Sequence, residues 1–516
     1  MNARTERLKT LSATIAKAAL ACAYVMAAVA LAWIALESRP MFSSVQAKAP
    51  DDGALAAPEP AAAALPPPDT REYDLVIRNA RIMDPESGLD AIGEIGIIGE
   101  RIEAISMGPL AAKAEVDAEG KVAAPGFIDS CVPITPNSDS MRYVEWWKLA
   151  DGVTTTLWLH DGVPSWKYGA KTLPQDGHWT EWGFGFRTTS IHDAFKTMPE
   201  RLAALDSYLS SGGLTVGASP EYAPWISTDQ HVEYAKVAAK HGVPYCMHTR
   251  YAFKHNELEG IREAIEIARR SGAHLHIFHL PSTGGTWHMA EALAMIEEAR
   301  SLGLRVDASA YMYSYWMTFI DAAARLGEGW QEGLGLTYED LYYVPWGTVL
   351  TKATYAKAKK QGGLVVVPEG TIDWETSIMP ALAKDWLFIA TDGAYDVKPD
   401  GRQVISHPRD TGGVAQALAE ARERGIPLMT AIRKLTLDPA RLLESSDPSF
   451  KDRGRLRVGA LANITVFDPL TVRGMGTIVA PAAISAGIEA VILRGKLAFR
   501  KGKHLGAFGL LIRGER

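Results

Sequence analysis

Residues 244–280 contain PYCMHTR (244–250), REAIEIARRS (262–271) and HLHIFHL (274–280), and their order decides the fold. The outer two are short apolar runs of strand length. The middle one spaces Ala264, Ile267 and Ala268 as the stripe of an amphipathic helix. A strand, a helix and a second strand in this order form a crossover unit, so the two strands run parallel. The rhythm extends in both directions. Upstream lie VAAPGFIDS (122–130), TTTLWLHD (154–161), WGFGFRTTS (182–190) and LTVGASPE (214–221). Downstream lie RVDASAY (305–311) and WLFIATDG (386–393). With the first two strands these make eight, the number that closes a (β/α)₈ barrel. One further run, GLVVVPE (363–369), competes for a strand position in the long seventh connection.

The flanks read differently. YDLVIRNARIMD, EIGIIGERIEAIS and AEVDAEGKVAAPG alternate with period two between Gly, Asp-Pro and Glu-Gly turns, as antiparallel strands do, and LANITVFDP and IEAVILRGKLAFRKGK return to that pattern after the barrel. Both ends are expected to build one small β-sandwich, from residues 71–124 and 448–516, around a barrel at 125–447. Ahead of them, Arg4, Arg7, Lys9 and Lys17 precede an apolar run from Ala18 to Leu36. That is close to the ~20 residues that span a membrane. The reading is a signal anchor over residues 1–37 and an Ala/Pro-rich tether over 38–70, with a single pass of the inner membrane and a periplasmic catalytic domain. Signal cleavage near Ala47-Lys48-Ala49, giving a secreted or periplasmic protein, is the alternative.

Of the 516 residues, 47% are hydrophobic and 22% charged, as in a globular protein. A net charge of −6 without a basic stripe argues against nucleic acid as a partner. Three cysteines cannot form a disulfide framework. Nothing in the chain sets the oligomeric state.

YDLVIRNARIMDPESG, GKVAAPGFID and DGVTTTLWL, followed by HTR (248–250), HIFHL (276–280), ATDG (390–393), HPRDTGG (407–413) and GRLRVGALANITVFDP, resemble the N-acyl-D-amino-acid deacylase branch of the amidohydrolase superfamily. The resemblance covers nearly all of Tyr73 to Lys503 in the family's order. It implies a zinc-dependent (β/α)₈ barrel with a flanking sandwich, and a small-molecule N-acyl amino acid as substrate.

The resemblance also implies a metal site, and here the chain departs from it. The family follows the strand-one Asp with a His-x-His pair. Asp129 is present, but the paired positions are Cys131 and Pro133, and proline has no donor in its side chain. His248 and His279 end strands five and six, where side chains enter the barrel mouth. A third ligand is needed. Depending on the alignment, strand two offers His160 or Asp161, and strand alternation favours His160. No lysine on strand four could form a carbamylated bridge. One Zn²⁺ per chain is therefore expected, with Asp392 as general base and then acid. An Asp-Gly pair commonly caps a helix, but at the end of the last strand the catalytic role is favoured. His274 and His276 read as packing residues.

Arg250 and Arg409 are candidate partners for a substrate carboxylate. Tyr311 and Tyr313 are candidates to hydrogen-bond the substrate, and Ser282 stands where some relatives place a lysine. Trp158, Trp166, Trp179, Trp182, Trp225, Trp287 and Trp316 fall near predicted strand ends, which suggests an apolar pocket for an acyl chain. A barrel without activity that only binds ligands, and a hydrolase of a cyclic amide or lactone, are the competing readings.

Overall fold

Short apolar strands that keep returning in parallel after a helix have one low-energy arrangement, a sheet curled so that both faces are covered. The computed structural model describes residues 71–133, 138–166, 168, 177–397 and 403–514. In it, eight strands follow one another in chain order: Phe127–Asp129, Val153–Val163, Glu181–Arg187, Val216–Ala218, Tyr245–Met247, Leu275–Ile277, Val306–Ala310 and Leu387–Ile389. We call these barrel strands one to eight. All seven neighbouring pairs are parallel. The crossover helices, among them Thr228–Lys240, Glu257–Ser271 and Met289–Ser301, bury their apolar stripes on the sheet.

The first and last strands meet through side chains. Asp129, at the end of strand one, accepts from the Thr391 backbone N–H (3.0 Å) and hydroxyl (2.6 Å) just after strand eight. The buried Lys148 ammonium lies 2.8 Å from Asp129 and from Thr391. The strand-one aspartate thus clamps the barrel seam.

The run 363–369 does not take a barrel position. Leu364–Val366 pairs antiparallel with Met317–Phe319 and with Tyr342–Tyr343, in a four-stranded sheet inserted between strands seven and eight. The two chain ends meet in a nine-stranded sheet, where Val122–Pro125 pairs antiparallel with Ile464–Phe467. It forms one hydrogen-bonded sheet, and it is mixed: Leu75–Asp84 runs parallel to Glu115–Asp117 and to Val122–Pro125. A buried ion cluster fastens this sheet to the barrel. Glu181 on strand three holds Arg453 (2.7 Å), Arg494 (3.0 Å) and Asn463 (2.7 Å).

The expected membrane-spanning helix finds no support in the structure. No helix among the described residues is long and apolar enough to cross a membrane. The apolar run 18–36 and the tether 38–70 lie outside the described residues.

Candidate active site

Strand two is bulged where it reaches the barrel mouth. Trp158 pairs with Phe184 and Val163 with Phe186, so residues 159–162 face only Gly185 on strand three. Gly162 sits at φ +81°, and a Cβ there would stand 2.3 Å from the Gly185 carbonyl oxygen. A side chain at 162 would therefore push the bulge away from strand three. This local bend presents both His160 and Asp161 to the pocket.

Three imidazoles converge at the mouth. His160 Nε2 lies 3.2 Å from His248 Nδ1 and 3.1 Å from His279 Nε2, and the last two are 3.1 Å apart. All three side chains are buried. A ring nitrogen offers one in-plane lone pair or one proton, so three pairwise hydrogen bonds cannot coexist in this triangle. Imidazole nitrogens bound at ~2.0–2.1 Å to a tetrahedral zinc stand about 3.3 Å apart, close to what is found. The donor set fits a metal ion, and it is the one such cluster among the described residues.

Two of the three rings, His248 and His279, are oriented from behind as metal-binding histidines are, while His160 Nδ1 has no hydrogen-bond partner among the described residues. His248 Nε2 donates to Glu221, which follows strand four. Arg325, from the inserted segment, donates to the other oxygen of Glu221 (3.2 Å) and to the Ser282 carbonyl (2.8 Å). The Ser282 hydroxyl lies 3.2 Å from His279 Nδ1. His160 Nδ1 is 3.8 Å from Asp161, whose carboxylate accepts from Ser219 (2.5 Å). Burial pushes His279 well below the usual imidazole range, reinforced by His248 and His160. Burial also lowers His248, against the pull of Glu221. At Asp161 and Glu221, burial alone would raise the carboxyl groups. Nearby cations, Arg187 and Arg325 first among them, outweigh it and keep both carboxylates ionised.

Asp392 lines the same pocket, and no helix follows it to be capped. Its Oδ2 is 2.7 Å from Arg409, and the Cys131 thiol approaches Oδ1 at 3.5 Å. Burial, with the charges of Asp392 and Asp129, raises the Cys131 thiol well above its usual range, so it stays protonated and serves Asp392 as a weak donor. His279 (φ +36°) and Asp392 (φ +54°) both hold left-handed backbone conformations. For residues other than glycine that is strain, kept here at the two strand ends that carry the site.

The pocket encloses about 460 Å³, the size of a small-molecule site. Besides the histidines it is lined by Asp161, Ser219, Ser282, Asp392, Arg187, Arg325 and Arg409, and on its apolar side by Tyr222, Trp316, Met317, Phe319 and Leu364. Several expected residues are elsewhere. The guanidinium of Arg250 is held by Glu263 (2.8 Å) and the Ile226 carbonyl (2.9 Å), away from the pocket. Tyr313 packs edge-on against Tyr315 and His407, and Tyr311 lies under the Arg409 guanidinium, 4.5 Å from its ring centre. Only Trp316 of the seven tryptophans lines the pocket. Trp158 and Trp182 are core, Trp166, Trp179 and Trp287 pack against it, and Trp225 is exposed. His274 and His276 are both bonded to Asp307, outside the triangle. Glu221, Arg325 and Arg187 were not singled out from sequence. A carboxylate ending strand four was visible, but its partner comes from a distant insertion.

No protein-family model matches the chain. Over 487 residues it is 26% identical to the N-acyl-D-glutamate deacylase of Alcaligenes xylosoxydans xylosoxydans, an alignment spanning 83% of this chain and 94% of that protein. It is 25% identical over 492 residues to the D-aminoacylase of the same organism, spanning 85% of this chain and 98% of that one. The chain is a divergent relative of these deacylases. Among solved structures, the fold matches that of the N-acyl-D-glutamate deacylase of Bordetella bronchiseptica in complex with zinc and a phosphonate inhibitor. The TM-score is 0.68 at 22% identity, covering 86% of this chain and all of that one. A D-aminoacylase structure matches with a TM-score of 0.66 at 21% identity over the same shares.

Proposed function

We propose that this deacylase-like chain is a metal-dependent hydrolase that cleaves the amide bond of an N-acyl amino acid, of D configuration as in its relatives, through one Zn²⁺ ion. The observation that carries this reading is the triangle of His160, His248 and His279 nitrogens, with Asp392 lining the same pocket. The strand-one positions that would serve a second ion are Cys131, a buried protonated thiol, and Pro133. A D-aminoacylase of similar fold has a binuclear metal centre with one-metal activation and second-metal attenuation, and the substitutions at the strand-one pair favour the one-metal case here.

A divalent ion at the three histidines would supply Lewis-acid polarisation and a more acidic water. The residues divide the remaining work. Asp392 takes a proton at a carboxylate oxygen and returns it to the leaving nitrogen, while Arg409 fixes that carboxylate in place. Glu221 keeps the proton of His248 on Nε2, so that the Nδ1 lone pair faces the triangle. The inserted segment lines the pocket with Trp316, Met317, Phe319 and Leu364, a wall that suits an apolar acyl group.

The test is hydrolysis of a panel of N-acyl-D- and N-acyl-L-amino acids, lactams and lactones by the full chain, with metal analysis of the same sample. Turnover that follows metal content supports the reading. Bound metal with turnover only of lactams or lactones would move the assignment to those bonds.

A further inference from the structure

The apolar wall of the pocket is graded from depth to rim. Trp316 lies deep: the Arg325 guanidinium covers its ring at 4.8 Å and itself donates to Glu221, the partner of His248. Met317 and Leu364 continue the wall, and Phe319, the cross-strand neighbour of Leu364, carries it to the rim. Exposure rises from 3% at Trp316 to 51% at Phe319. Tyr222, on the loop after strand four, also lines the pocket and is 38% exposed. The polar atoms on this side are satisfied within the wall. The Tyr222 hydroxyl lies 3.2 Å from that of Thr318, and Arg325 is held by Glu221 and the Ser282 carbonyl. What remains is a hydrocarbon strip that begins beside the histidine triangle and ends in solvent. A closed apolar pocket would suit one group of fixed size. A strip open at its outer end takes a chain of variable length, and large apolar side chains left exposed at the rim of a pocket gain by being covered.

We infer that this strip is a subsite for an unbranched fatty acyl chain, which runs from the triangle along Met317 and Leu364 and leaves past Phe319. The preferred substrates are then N-fatty-acyl amino acids in place of N-acetyl ones, and Phe319 sets the reach of the subsite. That the alkyl chain is the acyl part of an N-acyl amino acid rests on the function proposed above; the strip itself rests on the placement of these side chains.

The test uses the zinc-loaded full chain with N-acetyl-, N-hexanoyl- and N-decanoyl-D-leucine, each below its aggregation concentration. Binding is measured by calorimetry and turnover on the same samples. Each methylene that enters the strip should lower KM about two- to fourfold with kcat little changed, because the strip touches the acyl chain alike in ground and transition states. Hexanoyl should therefore exceed acetyl by at least about tenfold in kcat/KM, and the gain per carbon should shrink toward decanoyl as the acyl chain passes Phe319 into solvent. Phe319→Ser should cut the decanoyl-to-acetyl ratio by about 3- to 10-fold, and Phe319→Leu should keep most of it. Should Phe319→Ser not fold, the native series carries the test. The proposal is overturned if hexanoyl and acetyl agree within about twofold, or if Phe319→Ser leaves the decanoyl-to-acetyl ratio intact. It is also overturned if the gain follows the amino-acid side chain instead, from N-acetyl-D-alanine to N-acetyl-D-norleucine, or if native protein binds no member of the series. Binding that tightens with acyl length, without any hydrolysis, supports the subsite and overturns the hydrolytic reading. Hydrolysis of N-acetyl-D-leucine with no preference for longer acyl groups does the reverse.

Discussion

Glu221→Gln tests how the proposed metal ligands are held. Glu221 is fully buried, and each of its oxygens serves a different donor, His248 Nε2 on one side and Arg325 Nε on the other. Glutamine keeps one acceptor oxygen and adds two N–H donors. One of the two donors facing residue 221 then loses its acceptor, at a cost of about 1–3 kcal/mol in folding stability. The alternative relief is a tautomer change at His248, which places the proton on Nδ1, inside the triangle, where the lone pair is needed. Either outcome weakens the site. Outer partners of metal-binding histidines are worth about 10- to 100-fold in affinity, and that is the expected fall. Chelator-competition titration of native and Glu221→Gln protein measures it, and chemical denaturation of the metal-free proteins measures the folding term separately. Affinity within about twofold of native, with the metal-free protein equally stable, would refute the orienting role.

Other consequences follow from individual contacts. His160→Ala should abolish stoichiometric metal binding while Asp161→Asn retains it, since the triangle is closed by His160 and not by Asp161; metal analysis after gel filtration decides. Asp392→Asn should keep its metal and lose about 10²- to 10⁴-fold in kcat, the usual worth of a general acid–base group. Arg250→Ala should leave KM unchanged and destabilise the fold by about 1–3 kcal/mol, because it leaves the part-buried Glu263 carboxylate with the Thr228 hydroxyl alone. Burial depresses His231 from 6.5 to about 4. Because the folded value is the lower one, the stability involved is complete above pH 6.5 and is lost as pH falls toward 4, on the order of 3 kcal/mol. Denaturation at pH 7, 5.5 and 4 should show a shallower acid slope for His231→Gln than for native protein.

The barrel was legible because its physics is local. An apolar run such as PYCMHTR followed by an amphipathic helix buries its surface only in a parallel sheet, and strand ends such as His248 and His279 face the mouth whatever surrounds them. What depended on distant segments could not be read. Glu221 acquires its role when Arg325 arrives from an insertion 104 residues along the chain. Arg250, two residues beyond His248, is turned outward by Glu263 and the loop carbonyls. Alternation alone favoured His160, yet the bulge at Gly162 bends both His160 and Asp161 inward, and only the triangle of ring nitrogens separates them. The tryptophans were misleading because a bulky ring near a strand end fills the space between barrel and helices as readily as it lines a pocket, as Trp158 and Trp182 do.

Metal removal and return in one sample test whether His160, His248 and His279 hold one catalytic metal ion. The full chain should hold about one equivalent of zinc. Its hydrolysis of an N-acyl-D-amino acid should stop on chelation and return in proportion to the zinc added back, while His279→Ala neither binds zinc nor turns over. Less than about a tenth of an equivalent after zinc loading, or hydrolysis indifferent to chelation, would contradict it.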